Sequence, residues 1–195
     1  TQFREFELTV PTRPEDIPQV LKDAVVAVED QNFWEHDGVD PEAIVRAALH
    51  GVALLEVAEG GTVQGGSTIT QQLAKNLFPR DTVFYRSPIA KTSNLVVSKF
   101  KEWITAVKLE RNYTKNELLA MYLNTVAFGS NAYGIRSAAK TFFNTTPDSL
   151  NIEQSALLVG VVNAPTRYSP VKNPERALSR RNFVISQMAK YNFIT

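Results

Sequence analysis

The chain has 195 residues, with 21 Lys and Arg against 20 Asp and Glu, 44% apolar residues and no cysteine. A formal net charge of +1 argues against a protein that coats nucleic acid. The apolar fraction is too high for a disordered chain, and the lack of cysteine excludes thiol chemistry and cysteine-held metals.

In chain order, Glu5 to Val10 alternates polar and apolar residues and predicts a short strand. Val20, Leu21, Ala24, Val25 and Val28 then recur at helical spacing between Pro18 and Asp30. Asp40-Pro41-Glu42 supplies an N-cap, a proline at the first helical position and a first-turn acid. The helix it starts runs through Ile44, Ala48, Leu49, Val52 and Leu55 and ends before Gly60-Gly61. A third helix is expected from near Ser67 to about Leu77, stopped by Pro79. Residues 79–97 mix Pro79, Phe84, Tyr85, Pro88 and Ile89 with scattered cations at no clear period, and read as an irregular segment. Helical spacing resumes through Val97, Phe100, Ile104 and Val107, with Trp103 on the same stripe. Thr114-x-x-Glu117 is a capping box for the next helix, through Tyr122. Further helices fit Ala132–Phe143, Ile152–Val162 and, behind an Asn173 cap, Pro174–Tyr191. The longest apolar run, Ala156 to Val162, falls far short of the ~20 residues of a membrane span.

Charge is unevenly spread: residues 1–60 carry a net −9, 61–115 carry +6 and 116–195 carry +4. The cationic middle is either a solvated face or a place for an anionic ligand or a lipid surface.

Three clusters could carry chemistry. The first is Glu29-Asp30-x-x-Phe33-x-x-His36-x-Gly38, two carboxylates at the end of an apolar helix, where a general base could sit. The plain alternative is a helix end followed by a loop histidine. The second is Gly65-Gly66-Ser67-Thr68-Ile69-Thr70-Gln71-Gln72-Leu73-Ala74-Lys75-Asn76. Glycines leading into hydroxyl residues at a helix start leave free backbone N–H groups and a positive dipole end, which suit a phosphate. Gln72 and Lys75 share a helix face and extend that site with an amide and a cation. The third is Lys99-x-Lys101-Glu102, where Lys99 and Glu102 share a face and could together grip a phosphate or a phosphate-bound metal. An exposed Lys/Glu pair is the simpler account of those two.

Taken together, the clusters resemble the peptidoglycan glycosyltransferases, glycosyltransferase family 51, over about Ala24 to Met188. The first two motifs stand unbroken. Lys115-x-x-x-Leu119-x-x-Tyr122-x-Asn124, Ala138-Ala139 with Phe142-Phe143, Asn163-Ala164-Pro165 and Arg180-Arg181-Asn182 also fit. The third motif departs from the family's usual Arg-Lys-x-x-Glu by placing Ser98 before Lys99, with Arg86, Lys91 or Lys101 as candidates for the missing charge.

The resemblance implies a mainly α fold, a large lysozyme-like helical lobe with a small membrane-facing jaw lobe, the jaw lying at about residues 77–98 of a single 1–195 glycosyltransferase domain. It implies polymerisation of lipid II into a β-1,4-linked glycan strand with inversion at the anomeric carbon and release of undecaprenyl pyrophosphate. Glu29 and Glu102 are the catalytic candidates. Asp30, Phe33, His36, Ser67, Thr68, Gln71, Gln72, Lys75, Asn76, Lys99, Arg180 and Arg181 are the candidates for binding substrate. A divalent cation, Mg²⁺ or Mn²⁺, is expected with the substrate pyrophosphate rather than in a preformed cage, with Glu102 its possible protein ligand. The expected partners are lipid II, the growing glycan strand and a membrane surface, and no nucleic acid. The expected location is the outer face of a bacterial cell membrane, with an N-terminal anchor and a fused C-terminal transpeptidase domain outside this chain. Two other classes compete: a lysozyme-like glycan-cleaving enzyme, and a phospholipid- or nucleic-acid-binding helical module.

Overall fold

The structure, a computed structural model, describes residues 10–45, 66–78 and 88–195, the side chains of 88–96 excepted. Helix α1 (Gln19–Glu29) starts after Pro18 and carries Leu21, Ala24, Val26 and Ala27, all fully buried. A helix buried all round lies at the centre of its lobe. Two later helices, α6 (Ile152–Asn163) and α7 (Pro174–Lys190), pack on each other and both pack on α1.

The other side of the lobe is built on α2 (Ile69–Leu77), packed against α3 (Pro88–Asn112) and α4 (Lys115–Thr125). Thr68 caps α2 by accepting the Gln71 amide, and Thr114 and Glu117 form the expected reciprocal box at the start of α4. After α4 the chain forms a short antiparallel hairpin, β1 (Ala127–Gly129) with β2 (Ala132–Tyr133). Its turn residues Ser130 and Asn131 both take positive φ, which matches the twist of the flanking strands. Gly134 follows at φ +77, where a Cβ would stand 2.7 Å from the Asn124 carbonyl oxygen. From there α5 (Ile135–Phe143) runs to a left-handed Asn144. One core joins these helices, with Leu21, Phe33, Leu73, Tyr122, Leu158 and Met188 among its largest members.

Mainly α architecture therefore stands as expected, with four differences in detail. Residues 88–97, read as irregular, are the first turns of a continuous α3. The segment lacks an apolar period, but Pro88 suits the first helical position, and Ala90, Lys91 and Leu95 favour the helix without one. Ala132 and Tyr133, read as the start of a helix, belong to the hairpin because Gly134 breaks the backbone direction ahead of Ile135. Helix α2, expected from near Ser67, starts at Ile69 behind the Thr68 cap, and the Asn173 side chain, at the N-cap of α7, makes no capping bond and donates instead to the Thr166 carbonyl. The expected strand at Glu5–Val10 lies outside the described residues except for Val10. The helix begun at Asp40 is described only over 41–45.

The apolar stripe of α3 does not face the core. Val97, Phe100 and Ile104 are 50%, 54% and 56% exposed, whereas Glu102 and Ala106 on the opposite side are buried. Phe100 and Trp103 meet edge to face along it, with ring centroids 5.2 Å apart. Among the described residues, no helix is long and apolar enough to cross a membrane.

Candidate active site

Helix α1 delivers Glu29 and Asp30 at its C-terminal end, and the turn that follows is pinned by Phe33, which is fully buried. The buried His36 ring bridges that turn. Its Nδ1 accepts the Gly38 amide at 3.0 Å, so the neutral ring carries its proton on Nε2 and donates it to Asp30 Oδ2 at 2.9 Å. The same Asp30 oxygen accepts the Ile69 amide at 2.9 Å. Thr68 Oγ1 donates to the Gly38 carbonyl at 2.7 Å, and Gln71 Nε2 reaches the same oxygen at 3.3 Å. The first two clusters are thus one interlocked structure.

This arrangement corrects one expectation. The amides at the start of α2 were to be free for a phosphate, but Asp30 takes that of Ile69 and Thr68 Oγ1 takes that of Gln71. The chain supplies the anion for this helix end itself, because a carboxylate at an N-terminus is favoured by the dipole and by unpaired N–H groups.

Glu29 is only half-buried. Its Oε2 accepts Gln72 Nε2 at 2.9 Å, and the other end of that amide, Gln72 Oε1, accepts the Tyr122 hydroxyl at 3.1 Å. Burial first, and then the charge of Glu29, push the Tyr122 hydroxyl well above its ordinary pKa, so it stays protonated and donates. Ser67 lies just ahead of the Thr68 cap, and its Oγ accepts Lys99 Nζ at 3.2 Å. Lys99 also pairs with Glu102 at 2.8 Å, with the cation 42% exposed and the carboxylate buried. A carboxylate with one oxygen bound and the other without a described partner can act as a base. A part-exposed lysine beside a serine hydroxyl can receive an anion.

A second network, absent from the expectations, braces the site. Thr70 Oγ1 donates to Glu110 Oε1 at 2.6 Å, and Lys115 Nζ pairs with Glu110 Oε2 at 2.9 Å. Lys115 also donates to the His36 carbonyl and stands 4.5 Å over the Phe33 ring. Lys115 stood out in sequence only as part of a pattern. Nothing in sequence links Thr70 to Glu110, forty residues away.

The remaining candidates are placed as follows. Lys75 and Asn76 are exposed on the last turns of α2. Arg180 lies over the rings of Tyr168 and Phe183, and Arg181 donates to Asn182 Oδ1, so the described partners of both are on or near α7. Lys101 is exposed on α3, while Gly65, Arg86 and the Lys91 side chain lie outside the described residues.

Residues 2–189 match the family described as transglycosylase. The chain is 43% identical over 180 residues to penicillin-binding protein 1A of Aquifex aeolicus, covering 92% of this chain and 22% of that protein. It is 42% identical over 182 residues to penicillin-binding protein 1A/1B of Bacillus subtilis, covering 93% and 18%. It is 39% identical over 194 residues to penicillin-binding protein 1A of Neisseria flavescens, covering 100% and 22%. The chain therefore spans about a fifth of the length of these relatives. It belongs to the transglycosylase family, as a peptidoglycan glycosyltransferase domain of the class A penicillin-binding protein type.

Proposed function

We propose that the domain polymerises lipid II, and that Glu29 is the base of the transfer. The observation that carries this is the Glu29–Gln72 hydrogen bond, which seats a carboxylate against the first turn of the helix whose entry presents Ser67 to Lys99. The 4-hydroxyl oxygen of an incoming lipid II attacks the anomeric carbon of the growing chain, its proton passes to Glu29, and the anomeric C–O bond to pyrophosphate breaks with its electron pair leaving on the phosphate. Attack opposite the leaving group inverts the configuration. A positioned base supplies roughly 10²- to 10⁴-fold in rate. Lys99, with Ser67 and the exposed Lys75, offers charge and donors to the departing pyrophosphate, and Glu102 orients Lys99. A glycan-cleaving enzyme has no pyrophosphate to meet and no use for this cationic arm.

Among the described residues, no three His, Asp or Glu side chains stand close enough to hold a metal ion together. Mg²⁺ or Mn²⁺ would arrive on the pyrophosphate of the substrate, and no step above is routed through it. Residues 79–87 of the jaw expected at about 77–98, and the side chains of 88–96, lie outside the described residues; the exposed stripe of Val97, Phe100 and Ile104 that continues from it along α3 supports a surface that meets lipid. With it goes a location on the outer face of the cell membrane. The greater length of the relatives supports fusion to a transpeptidase domain.

Lipid II in detergent with the purified domain, resolved as glycan strands on a gel, tests the reading. Polymer from the parent and none from Glu29→Gln, with lipid II binding retained, is the expected result. Undiminished polymerisation by that variant overturns the assignment of the base.

A further inference from the structure

Tyr122 is buried in the core on α4, yet its hydroxyl is spent on a residue of the active site. A glutamine amide can turn over about its last bond at little intrinsic cost, so its neighbours decide which end faces which. Here the hydroxyl donates to Gln72 Oε1 and Gln72 Nε2 donates to Glu29 Oε2, so each donor meets an acceptor. Turned over, the amide would set its oxygen against the carboxylate, two acceptors at hydrogen-bonding distance. Without the tyrosine hydroxyl, Gln72 Oε1 would lose that donor, and the amide would be held only at its Glu29 end, free to swing with the carboxylate. Nothing else described holds the Glu29 carboxylate in its plane.

We propose that Tyr122 is a positioning residue for the transfer: acting through Gln72, it fixes the Glu29 carboxylate and reserves Oε1 as the atom that takes the proton of the acceptor hydroxyl. This rests on Glu29 being the base. The relay spans three helices, from α4 through α2 to the end of α1, so the packing of the lobe sets the aim of the carboxylate.

The test is a double-mutant cycle of Tyr122→Phe and Gln72→Met, both close in shape to the residues they replace, read as kcat and KM for lipid II with thermal denaturation alongside. Tyr122→Phe should lower kcat by about tenfold, the worth of one oriented hydrogen bond, while KM stays within about twofold. Gln72→Met should lower kcat at least as far, and adding Tyr122→Phe to it should cost nothing more, since the hydroxyl then has no amide to orient. A purely structural tyrosine would cost the same in both backgrounds, and that result overturns the proposal, as does an unchanged kcat in Tyr122→Phe. Should Tyr122→Phe fail to fold, an unchanged kcat in Gln72→Met overturns it and a loss of kcat at constant KM supports it. If the parent makes no polymer, or Glu29→Gln keeps the parental kcat, the assignment of the base fails instead.

Discussion

Asp30, the residue that caps the C-terminal end of α1, accepts the backbone amide of Ile69, the first residue of α2, at 2.9 Å, while the His36 ring donates to the same carboxylate. A buried carboxylate is tolerated only when its charge and lone pairs are met, and here a helix N-terminus and an imidazole N–H meet them. The bond makes the end of one helix the cap of the next. It keeps Glu29 and Gln72, one residue before Asp30 and three after Ile69, at 2.9 Å.

Gly38 is where α3 comes closest to this loop. It takes φ +89, and a Cβ there would stand 2.8 Å from the Ala106 carbonyl carbon. Gly38→Ala should therefore cost about 2–3 kcal/mol, from strain at positive φ together with displacement of α3. Urea denaturation measures the stability. Polymerisation should fall as well, because α3 carries Lys99.

Breaking the Glu110–Lys115 pair should be costly in a way that removing both partners is not. The side chains are 5% and 21% exposed, and Lys115→Met leaves Glu110 charged, buried and bound only by Thr70 among the described residues. We expect a loss of about 3 kcal/mol for Lys115→Met and a smaller loss when Glu110→Gln is added, a sign of coupling that a denaturation cycle reads directly.

Asp40 sets a dependence on pH. Burial by itself would raise its carboxyl, but hydrogen bonds from the amides of Ala43 and Glu42 and from the Asn32 side chain outweigh this and hold it below the usual carboxylate range. A lowered folded value contributes stability that is present above the unfolded value, about 4, and is lost as pH falls through the folded one. The stability gap between the parent and Asp40→Asn should accordingly be widest at neutral pH and close on acidification, as denaturation curves across that range would show.

The exposed stripe on α3 should bind lipid. Phe100→Ser with Ile104→Ser removes two large apolar side chains that touch the core little, so thermal stability should change by less than about 1 kcal/mol while flotation with anionic vesicles drops several-fold. Flotation equal to that of the parent would place the lipid contact elsewhere.

Local signals marked much of this fold. The Thr114–Glu117 box, the Asp40 cap and the spacing of Val20 to Val28 are each written within a few residues, and each element formed where those residues stand. The hairpin after α4 was not legible in this way, because it depends on two positive-φ residues, Ser130 and Asn131, rather than on a run of strand formers. Nor was the orientation of the α3 stripe, since the same period describes a helix that buries its apolar face and one that exposes it.

For the site the division is similar. Sequence alone determined which residues carry charge, where several of the helices begin, and that Glu29, Gln72, Lys75 and Lys99 are chemically fit for acid–base and anion work. Tertiary structure decided that the Ile69 amide at the start of α2 is met by Asp30 rather than left open, and that Gln72 turns toward Glu29. It also decided that Tyr122, Glu110 and Lys115 brace the site from outside the motifs. The reason is distance along the chain: apart from Glu110–Lys115, the bonds joining these groups cross roughly forty to eighty residues, and only packing of one part of the chain on another can bring such partners within about 3 Å.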